Sequence, residues 1–339
     1  MNWFIAFVLL FACLAIFTRI GVHEAEQRFP PVGDFAKIEG FRLHYTDAGE
    51  GSAVVLIHGA STSLLDFHAG IADHLSSGHR VIAVDRPGHG YSDRPAGSWP
   101  NPKKQARLIR ELMRGLGVER PLIVGHSWSG SVVLAYLLEY PEETAGGVLL
   151  AGATHPWIGG VAWYNDIAGV PVLGKLFART LAYPFGRLAL ETAVGKVLAP
   201  NPVPDAYIER TGVHLSLRPK TFLANAEDIR MLSDYLATQS RHYAEIRRPV
   251  LAVTGEKDII VPAWNHAKRL MRQIPRMEQV ELMDTGHALH HTHPEHIAGL
   301  IASFARQLAA TDAQEAPSRQ EAAETETRNV QLDQLIGSG

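Results

Sequence analysis

The body of the chain alternates between short apolar runs and segments with helical periodicity. The runs are four or five residues long and rich in Val, Ile and Leu, as expected of strands buried on both faces of a parallel sheet. They cover residues 53–57, 81–84, 121–124, 147–150, 250–253 and 279–283. Helical patterns occupy residues 103–116, 131–140 and 294–308. This alternation predicts an α/β fold with a doubly wound, mostly parallel sheet.

Two segments depart from the alternation. Residues 36–46 predict a hairpin, because Phe41, Leu43 and Tyr45 alternate with polar neighbours after a Glu-Gly turn. Residues 158–247 have helical patterns and Pro-rich connectors but no clear strand. The helical patterns lie at 172–181, 185–198 and 227–238. This segment is too apolar for a linker, so it predicts a helical cap inserted over the sheet.

The N-terminal segment is apolar enough to span a membrane. Residues 1–18 contain no charged side chain, and residues 3–22 would form a helix of about 30 Å, which matches the hydrocarbon core of a bilayer. Trp3 suits one interface, and Arg19 near the other end can snorkel to the headgroups. The segment therefore predicts an uncleaved, single-span transmembrane helix.

Other interpretations of this segment stay open. A cleaved signal peptide normally has basic residues before its apolar run and a small-x-small cleavage site, and neither is evident. Lipidation at Cys13 is a second alternative, although Phe11 is bulky for the recognition site of such a modification. A buried core helix is a third alternative. For an anchored protein, Arg19, Arg28 and Lys37 follow the span. The positive-inside rule then predicts that the main domain faces the cytoplasm.

These patterns divide the chain into four parts. We expect a membrane anchor and linker at 1–33, an α/β core at 34–157 and 248–310, a helical cap at 158–247, and a tail at 311–339. The tail has six acidic residues against two arginines, which predicts a solvated, disordered segment. A short amphipathic binding segment at 329–336 is the alternative.

Composition excludes several classes of function. The 339 residues are 46% hydrophobic and carry a formal net charge of -3, which argues for a globular protein and against nucleic acid as a partner. The single cysteine, Cys13, excludes internal disulfides and cysteine-based zinc sites. We expect a small-molecule substrate, membrane attachment through the N-terminal helix, and no obligate protein partner.

The strongest local signal is a serine on a tight turn between a strand and a helix. Residues 123–130 are Ile-Val-Gly-His-Ser-Trp-Ser-Gly, so an apolar strand ends and a helix begins around Ser127. Such a turn projects the serine Oγ beyond the strand. The pattern departs from G-x-S-x-G because Ser129 holds the last position, where a small residue still fits. A serine that merely caps the helix is the alternative interpretation.

Two later predicted strands are followed by residues that could activate Ser127 as a nucleophile. Asp258 follows the strand at 250–253, and His287 follows the strand at 279–283. Ligands of open α/β sheets bind at the carboxyl ends of the strands. We expect His287 to take the proton of Ser127 and Asp258 to orient the imidazole.

Oxyanion donors and pocket residues are expected on the neighbouring loops. Ala60 lies in the sequence His-Gly-Ala-Ser after the strand at 53–57, and Trp128 follows the serine. Their backbone N–H groups are the predicted donors for a developing oxyanion. The candidates for the substrate pocket are His58, Gly59, Ser61 and His126.

Together these residues resemble the α/β-hydrolase family, with a cap between the sixth and seventh strands. The loop at 85–92, Asp-Arg-Pro-Gly-His-Gly-Tyr-Ser, is similar to the loop after the fourth strand of that family. The resemblance implies hydrolysis without a metal or an organic cofactor. Epoxide hydrolases and dehalogenases of the family use an aspartate as nucleophile, so a serine in its place implies acyl chemistry. By resemblance to the esterase and lipase-like members, we expect hydrolysis of carboxylic esters through an acyl-enzyme. Lactone, thioester, amide and carbon–carbon hydrolases, perhydrolases and non-catalytic small-molecule-binding members remain alternatives.

A histidine-rich run invites a metal interpretation. Residues 287–296 contain five histidines, but they span a loop and a helix start. Zinc ligands must converge, so we predict no metal site. We expect His290 or His291 to pack near the mouth of the site.

Other side chains near the motifs have structural interpretations. Asp85 and Asp93 are expected to order their loop by pairing with Arg86 or Arg94. The Trp128 side chain suits either an acyl pocket or the core. An apolar cap beside a membrane helix suggests hydrophobic acyl substrates.

Overall fold

An eight-stranded sheet organises the protein. The computed structural model describes residues 2–95, 99 and 101–315. The strands are β1 (Asp34–Ile38), β2 (Phe41–Ala48), β3 (Ala53–Ile57), β4 (Arg80–Val84), β5 (Leu122–His126), β6 (Gly146–Leu150), β7 (Val250–Gly255) and β8 (Met277–Leu282). Their order is β1-β2-β4-β3-β5-β6-β7-β8. The pairs β1–β2 and β2–β4 are antiparallel, and the others are parallel. The predicted fold class and mostly parallel sheet are confirmed.

Helices cover both faces of the sheet and its carboxyl edge. Within the described residues they are α1 (Asn2–Arg28), α2 (Leu65–His68), α3 (Ala72–Ser76), α4 (Pro102–Gly115), α5 (Gly130–Glu139), α6 (Trp163–Ala168), α7 (Leu173–Thr180), α8 (Ala182–Leu198), α9 (Tyr207–Thr211), α10 (Pro219–Gln239), α11 (Ala267–Leu270), α12 (Leu289–Thr292) and α13 (Pro294–Glu315). Short 3₁₀ segments lie between several of them, at 127–129, 141–143, 213–217 and 240–245.

Strand β3 is buried on both of its faces, which explains why its sequence is a short, continuous apolar run. Val55 and Ile57 belong to the apolar layer that includes residues of α4 and α5. Val54 and Leu56 belong to the opposite layer, with residues of α3 and α13. Successive strand residues point to opposite faces, so a strand covered on both sides is apolar throughout. The site can therefore lie only where the strands end.

The cap, α6 to α10, enters between β6 and β7. Residues 158–247 are all described, and they contain helices and 3₁₀ turns but no strand. The longest cap helix, α10, starts at Pro219 rather than at residue 227. Proline is favoured at the first position of a helix, which fits this start. One face of α10 is buried and carries Asn225 and Asp228 towards the sheet edge. The cap thereby brings polar groups to the predicted site.

Helix α1 is longer than the predicted span. It continues from residue 22 to Arg28, and a stripe of its residues, Thr18, Gly21 and Ala25, is buried. It is also long and apolar enough to cross a membrane, with a mean hydropathy of 2.4 in its most apolar window and little of that window buried. Helix α1 therefore has one side docked on the protein, and the rest of its apolar surface is exposed.

The last helix also passes the boundary expected from the sequence. Helix α13 continues to Glu315, whereas the predicted tail starts at residue 311. Apolar Ile301, Phe304 and Leu308 of α13 are buried against the sheet. The remainder of the tail, with the alternative binding segment at 329–336, lies outside the described residues.

Candidate active site

The serine turn forms because two glycines let the backbone close up. Ser127 follows β5 with a φ of 52°, in the left-handed region that non-glycine residues rarely adopt. A Cβ on Gly125 would lie 2.6 Å from the Ser129 carbonyl oxygen, and a Cβ on Gly130 would lie 2.6 Å from the Cα of Gly152. Strained backbone of this kind is common at functional sites.

The surroundings of Ser129 explain how a serine fits at the last position of the G-x-S-x-G motif, where glycine is usual. The side chain is fully buried, and its Oγ donates a hydrogen bond to the carbonyl oxygen of His58. His58 follows β3, so the serine ties the turn after β5 to the neighbouring loop. The additional hydroxyl is therefore satisfied and joins the two loops.

The structure brings together Ser127, His287 and Asp258. The Ser127 Oγ lies 2.9 Å from Nε2 of His287, and Nδ1 of His287 lies 2.8 Å from Oδ2 of Asp258. His287 and Asp258 are both buried. An imidazole between a hydroxyl and a carboxylate can accept the hydroxyl proton while the carboxylate holds its tautomer.

The environment of Asp258 favours its ionised form. Burial alone would raise the pKa of this carboxyl, but His287 and two backbone N–H groups outweigh burial and lower the pKa below its usual value. The N–H groups of Ile260 and Val261 donate to Oδ1 at 2.8 and 2.9 Å. The second oxygen, Oδ2, remains for His287. The carboxylate is thus fixed on both sides.

A cavity of about 720 Å³ opens beside Ser127, with Ala60 and Trp128 in its wall. Both residues predicted to supply oxyanion donors therefore share the cavity wall with the serine. The apolar part of the lining is Ala153, Pro156, Trp157, Ile158, Ile229, Leu232, Ile259, Ile260, Val261, Pro262 and Trp264. Its polar residues beyond the serine are Asn265, His266 and Arg269. Such a cavity suits an apolar substrate with one polar end.

The polar end of the cavity contains a neutral imidazole. Burial lowers the pKa of His266 to about 4. Its Nδ1 accepts a hydrogen bond from the N–H of Thr154 at 3.1 Å. Arg269 donates to the Asn265 side chain at 2.9 Å. Arg269 is therefore the group there that can bind an anionic substituent.

The Trp128 side chain is core packing on one side and cavity wall on the other. It is buried, its ring faces the guanidinium of Arg86 at 4.1 Å, and its Nε1 donates to the Asp228 carbonyl oxygen at 3.0 Å. Both interpretations left open by the sequence thus apply. The indole also links the serine turn to the cap helix α10.

None of the four predicted pocket residues, His58, Gly59, Ser61 and His126, is in the lining of the cavity beside Ser127, which corrects that prediction. His58 is fully buried, accepts from the Arg86 N–H through Nε2 at 3.0 Å and bonds the Gly59 carbonyl through Nδ1. Burial and Arg86 lower the pKa of His58 to about 4. His126 is buried towards His287, and Ser61 bonds Asn225 of the cap. His58 and His126 point into the protein interior, and Ser61 is held by the cap residue Asn225.

The partners of the acidic loop residues also differ from expectation. Asp93 pairs with Arg42 at 3.2 Å, and Asp85 accepts hydrogen bonds from the N–H groups of Leu64 and Tyr91. Both carboxylates order loops, as predicted. The two arginines of the loop bind the cap instead.

That cap contact is a buried ion-pair network around Asp228. Arg86 contacts Asp228 Oδ2 at 2.6 Å, and Arg94 contacts Oδ1 at 2.9 Å. Asp228 and Arg86 are essentially inaccessible to solvent. Sequence analysis missed Asp228, since nothing in the helical pattern of α10 distinguishes it from a surface acid.

His290 and His291 lie in the interior rather than at the mouth of the site, which corrects that expectation. Their Nε2 atoms bond the buried carboxylate of Asp66 at 3.0 and 2.8 Å. Burial would raise the pKa of Asp66, but the two imidazoles hold that pKa well below its usual range. Asp66, His126 and His290 each bring one ligand atom within 4.8 Å of one another. Such a set can bind a transition metal, so the expected lack of a metal site stays a prediction.

Asn225 of α10 is a second residue that the sequence did not reveal. Its Oδ1 accepts from the Ser61 N–H at 2.7 Å, and its Nδ2 donates to Ser61 Oγ at 2.9 Å. Ser61 follows Ala60 directly and has a φ of 60°. The cap thereby holds the loop that carries a predicted oxyanion donor.

We expect Asn225→Ala to lower kcat for any substrate by about tenfold, the value of roughly one hydrogen bond. The loss of the acceptor frees the Ser61 N–H and loosens the loop that carries Ala60. Ser61→Ala is the matched control, because it removes only the Oγ contact and keeps the N–H bond. Steady-state kinetics of both variants would check this. A change confined to KM, or an equal loss in both variants, would contradict the positioning role.

The fold and site place the protein among capped hydrolytic enzymes built on a mostly parallel sheet. Residues 52–294 match the family model described as the alpha/beta hydrolase fold, and the chain belongs to this family. A 2-hydroxy-6-oxo-6-phenylhexa-2,4-dienoate hydrolase of Burkholderia cepacia is 27% identical over 275 residues, covering 79% of this chain and 92% of the relative. A 2-hydroxy-6-oxononadienedioate/2-hydroxy-6-oxononatrienedioate hydrolase of Comamonas testosteroni is similar to the same extent.

A solved structure supports the same fold assignment. A thermophilic esterase from Thermogutta terrifontis superposes with a TM-score of 0.65 at 21% sequence identity, covering 81% of this chain and 99% of the esterase. At this identity the likeness concerns the fold alone. The family and its relatives identify the chain as a hydrolase.

Proposed function

We propose that the protein is a serine hydrolase that cleaves carboxylic esters through an acyl-enzyme. The observation that carries this proposal is the chain of hydrogen bonds from Asp258 through His287 to Ser127, at the wall of a cavity. Ser127 is the nucleophile, His287 the base, and Asp258 the group that orients the imidazole.

The reaction then follows from the positions of these groups. His287 Nε2 takes the proton of Ser127 as Oγ attacks the carbonyl carbon, and the N–H groups of Ala60 and Trp128 stabilise the oxyanion. When the tetrahedral species collapses, the imidazolium returns the proton to the leaving alcohol. Water then attacks the acyl-enzyme, with the same histidine as base, and releases the acid and Ser127.

The cavity lining favours apolar acyl groups. Trp157, Ile229 and Leu232 provide apolar wall around the serine, and exposed Ile158 and Trp264 extend it to the surface. Burial of each CH₂ group contributes about 0.8 kcal/mol. Medium-chain esters should therefore be better substrates than acetates.

A second candidate is hydrolysis of a carbon–carbon bond. Two observations favour it: the named relatives include hydrolases of 2-hydroxy-6-oxo dienoates, and Arg269 lies in the cavity lining. Such substrates carry a carboxylate, which an arginine binds well, and the phenyl-bearing one has a large apolar end. The same serine and histidine would serve either bond.

The decisive test compares both substrate types on the detergent-solubilised full chain. We would measure labelling by a fluorophosphonate probe, turnover of 4-nitrophenyl esters from acetyl to palmitoyl, and turnover of 2-hydroxy-6-oxo-6-phenylhexa-2,4-dienoate. The proposal predicts labelling and faster turnover of butyrate or longer esters than of acetate. Faster turnover of the dienoate than of every ester would favour the second candidate. If folded protein neither labels nor turns over any substrate, a small-molecule-binding role replaces the enzymatic proposal.

We also propose that α1 anchors the protein in a membrane. Its face from Trp3 to Phe17 is apolar and largely exposed, so transfer into hydrocarbon removes much apolar surface from water. Arg19, Arg28 and Lys37 follow this face and favour a cytoplasmic location of the enzyme domain.

A further inference from the structure

The docked side of α1 lies mainly against the cap. Phe17 and Tyr183 of α8 have ring centroids 6.2 Å apart, and a Cβ on Gly21 would meet the Tyr183 ring. Further along, Ala25 clusters with Leu215 of the cap. The cap helices α7 and α8 and the 3₁₀ segment 213–217 all pack on α1. The cap is therefore held beside the point where α1 would leave a membrane.

Ion pairs fix the orientation of this contact. Glu24 pairs with Arg187 at 3.8 Å, Glu26 with Arg218 at 3.2 Å, and Arg28 with Glu209 at 3.2 Å. All three acid–base pairs join the last two turns of α1 to the cap. These ion pairs follow the apolar part of α1 in sequence, so they would lie in water when that part is in a membrane.

Near this contact the cap exposes five large apolar side chains on α6, α7 and the turn between them, here called the α7 patch. Its members are Trp163, Val170, Val172, Leu173 and Leu176, each between 46% and 78% exposed. Leu173 and Leu176 share one face of α7 because they are three residues apart. Trp163 of α6 packs edge-on to Phe177 of α7, with centroids 6.1 Å apart.

The charges of α7 indicate what covers this patch. Lys175 and Arg179 are exposed, lie one turn apart and form no ion pair within the described part of the chain. Apolar residues interleaved with lysine and arginine, together with a tryptophan, are typical of helices that lie in the interfacial layer of a membrane. The neighbouring exposed face of α1 is also apolar, so the α7 patch and α1 suit the same lipid phase.

We propose that the α7 patch is a second membrane-contacting surface, which inserts into the headgroup layer beside α1. The inference rests on the proposed anchoring by α1 and goes beyond it, because an anchor alone would leave the cap free in water. Lys175 and Arg179 would face anionic headgroups. The cap, which contributes Ile158, Ile229 and Leu232 to the cavity lining, would then meet substrates that are dissolved in lipid.

The test uses the lone cysteine of the full chain, reconstituted into vesicles of phosphatidylcholine and phosphatidylglycerol. Cys13 is labelled with a polarity-sensitive fluorophore to report on α1. In a Cys13→Ser background, Leu176→Cys and Leu173→Cys report on the patch, and Met283→Cys, on an exposed position after β8, is the control. Circular dichroism melting of each labelled protein shows that it is folded.

We expect nitroxide-bearing lipids to quench the probes at positions 13, 173 and 176 by about twofold or more, and to leave the probe at position 283 unchanged. A lipid-quenched probe at 13 with iodide-quenched probes at 173 and 176 would overturn the inference and leave the anchor intact. A water-exposed probe at 13 would overturn both. Equal lipid quenching at 283 would show general adsorption and would also overturn it.

Discussion

Ser127→Ala is expected to abolish fluorophosphonate labelling and to lower kcat for the preferred substrate by about 10⁴-fold to 10⁶-fold. The variant keeps the cavity and the proposed oxyanion donors but has no hydroxyl at 2.9 Å from His287. Binding should change little, because the Oγ is a single small atom in the cavity wall. Steady-state kinetics and labelling in gels would measure both effects.

Ser129→Gly provides the matched control for that substitution. It removes a serine hydroxyl two residues away and restores the glycine typical of the motif. Its hydroxyl bonds the His58 carbonyl and does not reach the reacting atoms, so we expect loss of no more than about tenfold in kcat, the value of one hydrogen bond. Comparable activity of wild type and Ser127→Ala would refute the nucleophile assignment.

Asp228→Ala is expected to lower the free energy of unfolding by about 3–5 kcal/mol. The substitution leaves Arg86 fully buried without its partner 2.6 Å away and removes one contact of Arg94. It also breaks the main ionic contact between the core and α10, so the cap should loosen and kcat should fall. Urea denaturation followed by circular dichroism would give the size of the loss.

Glu227→Ala distinguishes this effect from simple loss of charge on α10. Glu227 also contacts Arg94, at 2.5 Å, but its side chain is 36% exposed. Partly exposed ion pairs contribute about 0–1 kcal/mol, so the expected change is small. Similar destabilisation by both substitutions would refute the importance of the buried pair.

The sheet and the three central residues were predictable from sequence for one physical reason. Strands buried on both faces must be apolar throughout, and their ends are marked by the first polar or small residues. Ser127, Asp258 and His287 each follow such an end. Parallel strands place these ends at one edge, so the sequence positions alone indicate that the side chains meet.

The cap contacts were not predictable, because they join residues that are distant along the chain. Asp228 lies 142 residues from Arg86, and Asn225 lies 164 residues from Ser61. A polar residue in an amphipathic helix has the same local pattern whether it meets water or a buried arginine. Local rules therefore favoured the nearby Asp85 and Asp93 as partners.

The docked stripe of α1 was hidden for a different reason. Its N-terminal part is apolar on every side, so no hydrophobic periodicity distinguishes the face that packs on Tyr183 from the face that does not. The cavity lining was similarly hidden, since Trp157, Ile158 and Trp264 lie in loops without a regular pattern.

The strand order has a consequence for the biosynthesis of the protein. Ser127 precedes the cap, whereas His287 follows the cap and lies 160 residues after Ser127. His287 is in the loop after β8, the strand at one edge of the sheet. A ribosome therefore synthesises the proposed nucleophile long before the proposed base. A nascent chain that has folded only through β6 carries a serine without a proton acceptor, and such distant pairing is slow to form. Hydrolytic competence should arise late and abruptly, when β7 and β8 complete the sheet edge.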